Sequence, residues 1–304
     1  MKLSKVGGII AAANKKVAKP LLQVGEISII RRIVITYQQA GIFPIVVITG
    51  AEETEVKKLL TKYGVIFLRI GQAEQPELME SVRVGLRYLS GKCERVAFTP
   101  VNVPMFTPMT VTSLMQTEGD LVVPSCGGKG GHPVLISECV IPRLLDYDGP
   151  DGLRGAMNAC GANRVWVNVA DRGVLTNVYN EEELSACLRE HNDAILHPVL
   201  HMRLERELPF FSDRLKLLLF LLADTQNMHV SCLHSGIARS KAWDMINKLE
   251  QTLGCQIVER ARGGASGGST RLTPAGMDLY LRFTRFEARV YQFAQEEFQR
   301  EFSR

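Results

Sequence analysis

Several features that would assign this chain to a special class are missing. No apolar run reaches the roughly 20 residues needed to span a membrane, because Lys216 interrupts the best candidate. The first ten residues lack an apolar core long enough for an export signal. Seven cysteines, at 93, 126, 139, 160, 187, 232 and 255, are odd in number and never spaced Cys-x-x-Cys. That excludes a zinc ribbon or finger and points to reduced thiols in a cytoplasm. No sign of charge dominates, since the formal net charge of the 304 residues is only +4. No Gly/Ser-rich tether appears either, so two domains in a chain of this length are expected to keep a defined orientation. The expectation is a cytoplasmic protein without membrane contact.

The basic residues are unevenly placed. Between Ser231 and Arg271 there are six Lys/Arg against three Asp/Glu, and half of those bases are Arg260, Arg262 and Arg271. These three flank Gly263-Gly264 and Gly267-Gly268, with no acid between them. Paired glycines allow a tight hairpin tip, and guanidinium groups on such a tip suit a phosphate backbone or a minor groove. Ahead of the hairpin, Ala242, Met245, Ile246, Leu249 and Leu253 recur at helical spacing within a helix predicted over 236–249. Its other side carries Ser240, Asp244, Asn247 and Gln251, with Arg239, Lys241 and Lys248 beside them. Short hydrogen-bonding groups of this kind read base edges in a major groove. Helices predicted at 213–223 and 230–234 precede it. The order predicts a winged helix-turn-helix binding double-stranded DNA through Arg239, Ser240, Lys241, Asn247, Lys248, Arg260, Arg262 and Arg271. The alternative is a small helical domain with a solvated polar face.

Ser240-Lys241-Ala242-Trp243-Asp244, the Gly-Gly-x-x-Gly-Gly hairpin and Arg271-Leu272-Thr273-Pro274-Ala275-Gly276 resemble the DNA-binding domain of the ModE molybdate-responsive regulators. LysR-type regulators are more distant. The resemblance covers about 195–286 and implies a dimer on a palindromic operator. It brings no molybdate site, because those regulators bind the oxyanion in separate domains.

From Lys5 to about Glu190 strand-like runs (6–12, 45–49, 65–70, 96–99, 121–123, 165–169) alternate with helical stretches (27–40, 53–62, 78–89). This rhythm predicts an α/β domain with a mostly parallel sheet, whose ligands sit beyond the carboxyl ends of the strands. Three features there suggest a phosphate ligand. Small residues including Ala12 and Ala13 lead into Lys15, Lys16 and Lys19. Asn102-Val103-Pro104 follows a buried strand, and Gly127-Gly128-Lys129-Gly130-Gly131-His132-Pro133 precedes another.

In this order the features resemble the MobA-like nucleotidyltransferases of GT-A type, which attach GMP or CMP to molybdopterin. The strongest elements are Lys19-Pro20-Leu21-Leu22, the run from Gly41 to Ala51, Met79-Glu80-Ser81-Val82 through Leu86, and Gly131-His132-Pro133. The resemblance implies a nucleotide or ligand site at Ala12, Ala13, Lys15, Lys19, Ser81, Asn102, Gly131 and His132. Lys19, Asn102 and Asn177 occupy the family's catalytic positions in degenerate form. The first loop is about three residues short and lacks Arg-Met-Gly, and the family's magnesium aspartate is Asn102. A neutral amide removes a full negative charge from a Mg²⁺ site, and nucleotidyl transfer depends on neutralising phosphate charge.

The domains are therefore expected at 1–192 and 193–304. An alternating stretch at 195–205 is expected to form a strand pairing with the hairpin. Leu279, Phe283, Phe286, Val290 and Phe293 in the last helix follow coiled-coil spacing and predict a homodimer seam. The function expected is a DNA-binding regulator whose nucleotidyltransferase-like domain senses a small effector (a nucleotide, a molybdopterin-type ligand or an oxyanion) without a metal or cofactor of its own. The alternative is an active cytidylyl- or guanylyltransferase using Mg²⁺ and NTP, with the DNA-binding part regulating its own pathway.

Overall fold

The computed structural model of the chain describes residues 4–13, 19–71, 77–179, 181–261 and 269–302. The chain divides into two compact units, one formed by Met1–Leu60 with Val65–Leu196 and the other by Thr61–Gly64 with His197–Arg304. Among the described residues no helix is long and apolar enough to cross a membrane.

The first unit is built on an eight-stranded sheet. In chain order its elements are β1 (Ser4–Ala12), a small hairpin β2 (Gln23–Val24) and β3 (Ile27–Ser28), α1 (Ile29–Gln39), β4 (Ile45–Thr49), α2 (Glu53–Leu60), β5 (Ile66–Arg69), α3 (Leu78–Leu89) and β6 (Cys93–Pro100). There follow α4 (Pro108–Gln116), β7 (Leu121–Cys126), β8 (Lys129–Gly130), β9 (Val134–Ser137), α5 (Ile141–Leu145), α6 (Gly152–Ala159), β10 (Arg164–Asn168) and α7 (Glu181–Ala194). The strand order is β10-β7-β9-β6-β1-β4-β5, with β8 paired to β7. β1 pairs in parallel with both β4 and β6, as β4 does with β5 and β10 with β7. β9 runs antiparallel between β6 and β7. The sheet is thus the mostly parallel one expected, and β1 and β4 read as continuous apolar runs because both faces are covered. Ile9, Ile10 and Val46 through Ile48 are fully buried.

A buried polar cluster closes the far side of α1. Arg32 is 1% exposed, and among the described residues its hydrogen-bond partners are neutral. Its guanidinium donates to the Val24 carbonyl, to Asn192 Oδ1 at 2.8 Å and to His191 Nδ1 at 3.1 Å. Arginine has only donors, so Nδ1 must accept and the imidazole proton lies on Nε2, 3.5 Å from Thr36 Oγ1. The cluster ties α1 and the β2–β3 hairpin to α7.

The second unit comprises β11 (Arg203–Glu205), β12 (Pro209–Ser212), α8 (Asp213–Thr225), α9 (Met228–Ser235), α10 (Arg239–Leu253), β13 (Val258–Ala261), β14 (Ser269–Leu272) and the long α11 (Pro274–Phe302). α8 is its hub, with Leu215 and every residue from Leu217 to Leu222 buried. Asn227 caps α9 by accepting from Val230 N at 3.1 Å. Gly236 then ends it with φ 65°, a left-handed conformation in which a side chain would be strained. For that reason α10 begins at Arg239, three residues later than the periodicity predicts, and it continues to Leu253. One correction concerns 195–205. Only Arg203–Glu205 is a strand, and it pairs with β12 across the short loop 206–208, not with the basic hairpin. A partner so near in sequence costs little loop-closure entropy.

Desolvation pushes the His191 pKa down to about 3, and the Arg32 charge acts in the same direction. In the unfolded chain a histidine titrates near 6.5. Below that pH the unfolded state binds the extra proton, so stability falls as pH drops. Thermal melts between pH 6.5 and 5 should show a loss of about 2 kcal/mol from this residue, and His191→Gln should remove that part of the slope. An equal slope in the variant would contradict the assignment.

Candidate functional site

The carboxyl edge of the sheet gathers most of the residues singled out from the sequence. Ala12 and Ala13, both buried, end β1. Ala11 stands opposite Pro100 in the β1–β6 ladder, and its carbonyl accepts from Val101 N at 3.0 Å. Asn102 is thereby held beside the end of β1. Ser81 lies in the first turns of α3 and is 1% exposed. Lys19 is exposed and turns the chain by accepting from Leu22 N at 2.8 Å. Lys15 and Lys16 lie outside the described residues.

The segment from Asp171 to Tyr179 draws the remaining residues together. Asn102 O accepts from Val178 N at 3.0 Å, and Val174 O accepts from His132 N at 2.9 Å. Gly131 is pressed so closely on Val174 that a Cβ would run into its carbonyl oxygen. Asn177 uses its side-chain oxygen locally, accepting from Tyr179 N at 3.2 Å.

Sequence reasoning missed the group that fixes this segment, Asp171. One carboxylate oxygen accepts from Thr107 N at 2.8 Å, Thr107 Oγ1 at 3.1 Å and Thr110 Oγ1 at 2.6 Å. The other accepts from Gly173 N at 2.8 Å. The signal available in the sequence was Asp171-Arg172-Gly173 directly after a strand, a capping pattern.

The site is rich in acceptors. Asn102 is 6% exposed, and its Oδ1 has no partner among the described residues. His132 Nδ1 is likewise buried without one. Desolvation pushes the His132 pKa down to about 4, against a hydrogen bond to the Phe98 backbone that acts the other way. The imidazole is therefore neutral near pH 7 and presents a lone pair. Two buried acceptors suit a ligand carrying N–H or O–H donors. Among the described residues no three of His, Cys, Asp or Glu converge. Mg²⁺ favours carboxylate oxygens, so a neutral amide at Asn102 does not fit it.

In the second unit the α10 residues predicted to meet DNA share the exposed side of that helix. Arg239, Ser240, Lys241, Asn247 and Lys248 are all exposed, while Ala242, Ile246 and Leu249 on the opposite side of α10 are fully buried. Met245 and Leu253, expected in the core, are only partly covered. Arg271 is exposed on β14, and Arg262 lies outside the described residues. Arg260 does not stand free. Its guanidinium lies 4.0 Å from the Trp243 ring centroid and donates to Asn247 Oδ1 at 3.1 Å.

The sheet order and the loops converging at its carboxyl edge define a nucleotidyltransferase-type α/β domain. The chain belongs to the MobA-like NTP transferase domain family, whose model matches residues 14–169. The fold is similar to that of a nucleotidyl transferase from Methanothermobacter, 17% identical, with 62% of this chain and 98% of that one covered at a TM-score of 0.53. A Mycobacterium tuberculosis protein solved with manganese is 16% identical over 62% of this chain and 99% of its own, TM-score 0.50. A 4-diphosphocytidyl-2C-methyl-D-erythritol synthase is 15% identical over 60% and 97%, TM-score 0.50. At these identities the likeness is one of fold. No curated protein matches the chain significantly.

Replacing Gly131 by alanine should displace Val174 and loosen the grip of the Arg172–Val178 turn on Asn102. The expected cost is roughly 1–3 kcal/mol, measured by urea unfolding. An unchanged midpoint would show that the turn yields without strain.

Proposed function

We propose that this protein is a DNA-binding transcriptional regulator whose MobA-like domain serves as a small-molecule sensor. The observation that carries the reading is the division of α10. One side is fully buried, and the other exposes Arg239, Ser240, Lys241, Asn247 and Lys248 around the half-buried Trp243. A two-stranded basic hairpin follows, and the turn Gly236–Ala238 joins the helix to α9. This is the element order of a winged helix-turn-helix of the ModE and LysR kind, with α10 as the groove helix and β13–β14 as the wing. A helix of short polar and basic groups suits a major groove, and Arg271 and Arg262 suit the flanking phosphates or a minor groove.

The sensor role rests on the acceptor-rich site around Asn102 and His132. Asn102 in place of the family's aspartate, and the shortened first loop with Lys15 and Lys19, argue against turnover. A nucleotide or molybdopterin-type ligand carries N–H donors that would satisfy the two acceptors, whereas an oxyanion would not. The reading includes a cytoplasmic location, supported by seven scattered cysteines without a Cys-x-x-Cys pair. The second reading is an active nucleotidyltransferase using Mg²⁺ and NTP, and membership of the family favours it.

Selection of duplex DNA by the full-length protein tests the first reading. A palindromic motif should emerge without Mg²⁺ or NTP. Arg271→Ala should weaken binding alike on motif and random DNA and lower the salt slope by about one. No enriched motif, together with pyrophosphate release from NTP and Mg²⁺, would decide for the transferase.

A homodimer through α11 completes the proposal. The first turns of this helix pack on their own unit: Phe283 meets Phe211 with ring centroids 4.5 Å apart, and Glu287 pairs with Lys216. Phe286 and Phe293, one coiled-coil repeat apart, are 52% and 64% exposed. Sedimentation should find a dimer that Phe286→Glu converts to monomer; a monomeric wild type would end the idea.

A further inference from the structure

The two described arginines of the hairpin do not act as a pair. β13 and β14 are in register so that Arg260 lies opposite Thr270 and Arg271 opposite Glu259. Side chains alternate between the faces of a strand, so Arg260 and Arg271 leave the hairpin on opposite faces. Arg271 has an acid as its cross-strand neighbour. Arg260 lies on the face turned to α10, where Trp243 and Asn247 stand one helical turn apart. Its guanidinium covers that turn, stacked on the indole and hydrogen-bonded to the amide oxygen. Stacking on tryptophan holds the flat cation in place before any partner arrives, and both Arg260 and Asn247 remain exposed.

This contact decides what the pair can read. An arginine has donors only, so the Asn247 atom it touches must be the carbonyl oxygen. Asparagine needs that oxygen, together with its NH₂ group, to form the two-bond contact with adenine. One of the two Oδ1 lone pairs is then taken by Arg260, so the pair presents more donors than acceptors: the Asn247 NH₂ and the further N–H groups of Arg260. The base edge in the major groove that offers two adjacent acceptors is guanine, through O6 and N7. We infer that Arg260 and Asn247, clamped by Trp243, form one donor-rich unit that recognises guanine in the major groove, and that Arg260 is a specificity residue and not a phosphate clamp. The inference rests on the DNA-binding reading proposed above.

The test is selection from a random duplex library with full-length wild type, Arg260→Lys and Trp243→Leu, each first checked by circular-dichroism melting. Lysine keeps the charge but loses the planar fork and the stack. Arg260→Lys should hold random-sequence DNA within about twofold of wild type. It should also lose a roughly tenfold or greater preference for guanine at one position of the motif. Trp243→Leu, which leaves every donor in place, should blur the same position. A motif unchanged in Arg260→Lys would overturn the guanine assignment while leaving the DNA-binding reading intact. A conserved adenine at the position that Asn247→Ala relaxes would overturn it too. If the wild type enriches no sequence at all, the DNA-binding reading fails first and this inference falls with it.

Discussion

The first unit depends on the parallel pairing of β1 with its two neighbours. β1 is nine residues long, buried over its central apolar residues, and hydrogen-bonded along both edges. Because all three strands run the same way, the chain leaves each at one edge, and three separate loops arrive together there. The bond from Val101 N to Ala11 O carries the ladder one step past β6 and delivers Asn102 beside Ala12 and Ala13. Residues almost ninety positions apart thus meet through sheet register alone. The turn after β10 completes the arrangement because Asp171 collects four donors from two segments, which costs less than leaving a part-buried carboxylate short of partners.

The balance of donors and acceptors at that edge constrains its chemistry. Phosphoryl chemistry needs positive charge to neutralise the developing oxyanion, and the buried groups found here are a neutral amide oxygen and a neutral imidazole nitrogen. An exposed Lys19 is the described cation of the set. Buried acceptors without partners are costly, so the site gains from any ligand whose donors reach them. That favours recognition of a heterocycle over turnover of its phosphates, on the assignment proposed for this domain.

Much of the architecture was legible in the sequence. The alternation of apolar runs and amphipathic stretches located β1, β4, β5, β6, β7, β10 and the helices α1, α2 and α3, because a doubly covered sheet leaves a strong apolar signal; α4, α5 and α6 were not anticipated. α8 and α9 were located by their apolar runs but came out up to two residues short at their ends, 213–223 against Asp213–Thr225 and 230–234 against Met228–Ser235. Pairing was less legible. Nothing local says that β9 inserts antiparallel between β6 and β7, or that Arg203–Glu205 closes on Pro209–Ser212 instead of on the basic hairpin. Glycine-rich and lysine-rich motifs marked the candidate loops, yet Asp171 escaped notice because its four donors come from Thr107, Thr110 and Gly173, a set that only the folded chain assembles. Trp243 was likewise read as part of a motif, when its ring is the surface on which Arg260 rests.

That stack also bears on how the two units could communicate if the chain is a regulator. A ligand alters DNA affinity only by as much as its affinity differs between two states of the protein. The base of the hairpin is anchored to α10 by Glu250 Oε1, which accepts from Ile257 N and Val258 N, whereas Arg260 itself is exposed and held by a cation–π contact and a hydrogen bond. Contacts of this kind are worth little individually at an exposed site, so turning the Arg260 side chain aside is enough to free both Oδ1 lone pairs of Asn247. The released amide would prefer adenine where the clamped unit prefers guanine. Regulation on this basis would change which base is read, and not merely how tightly DNA is held.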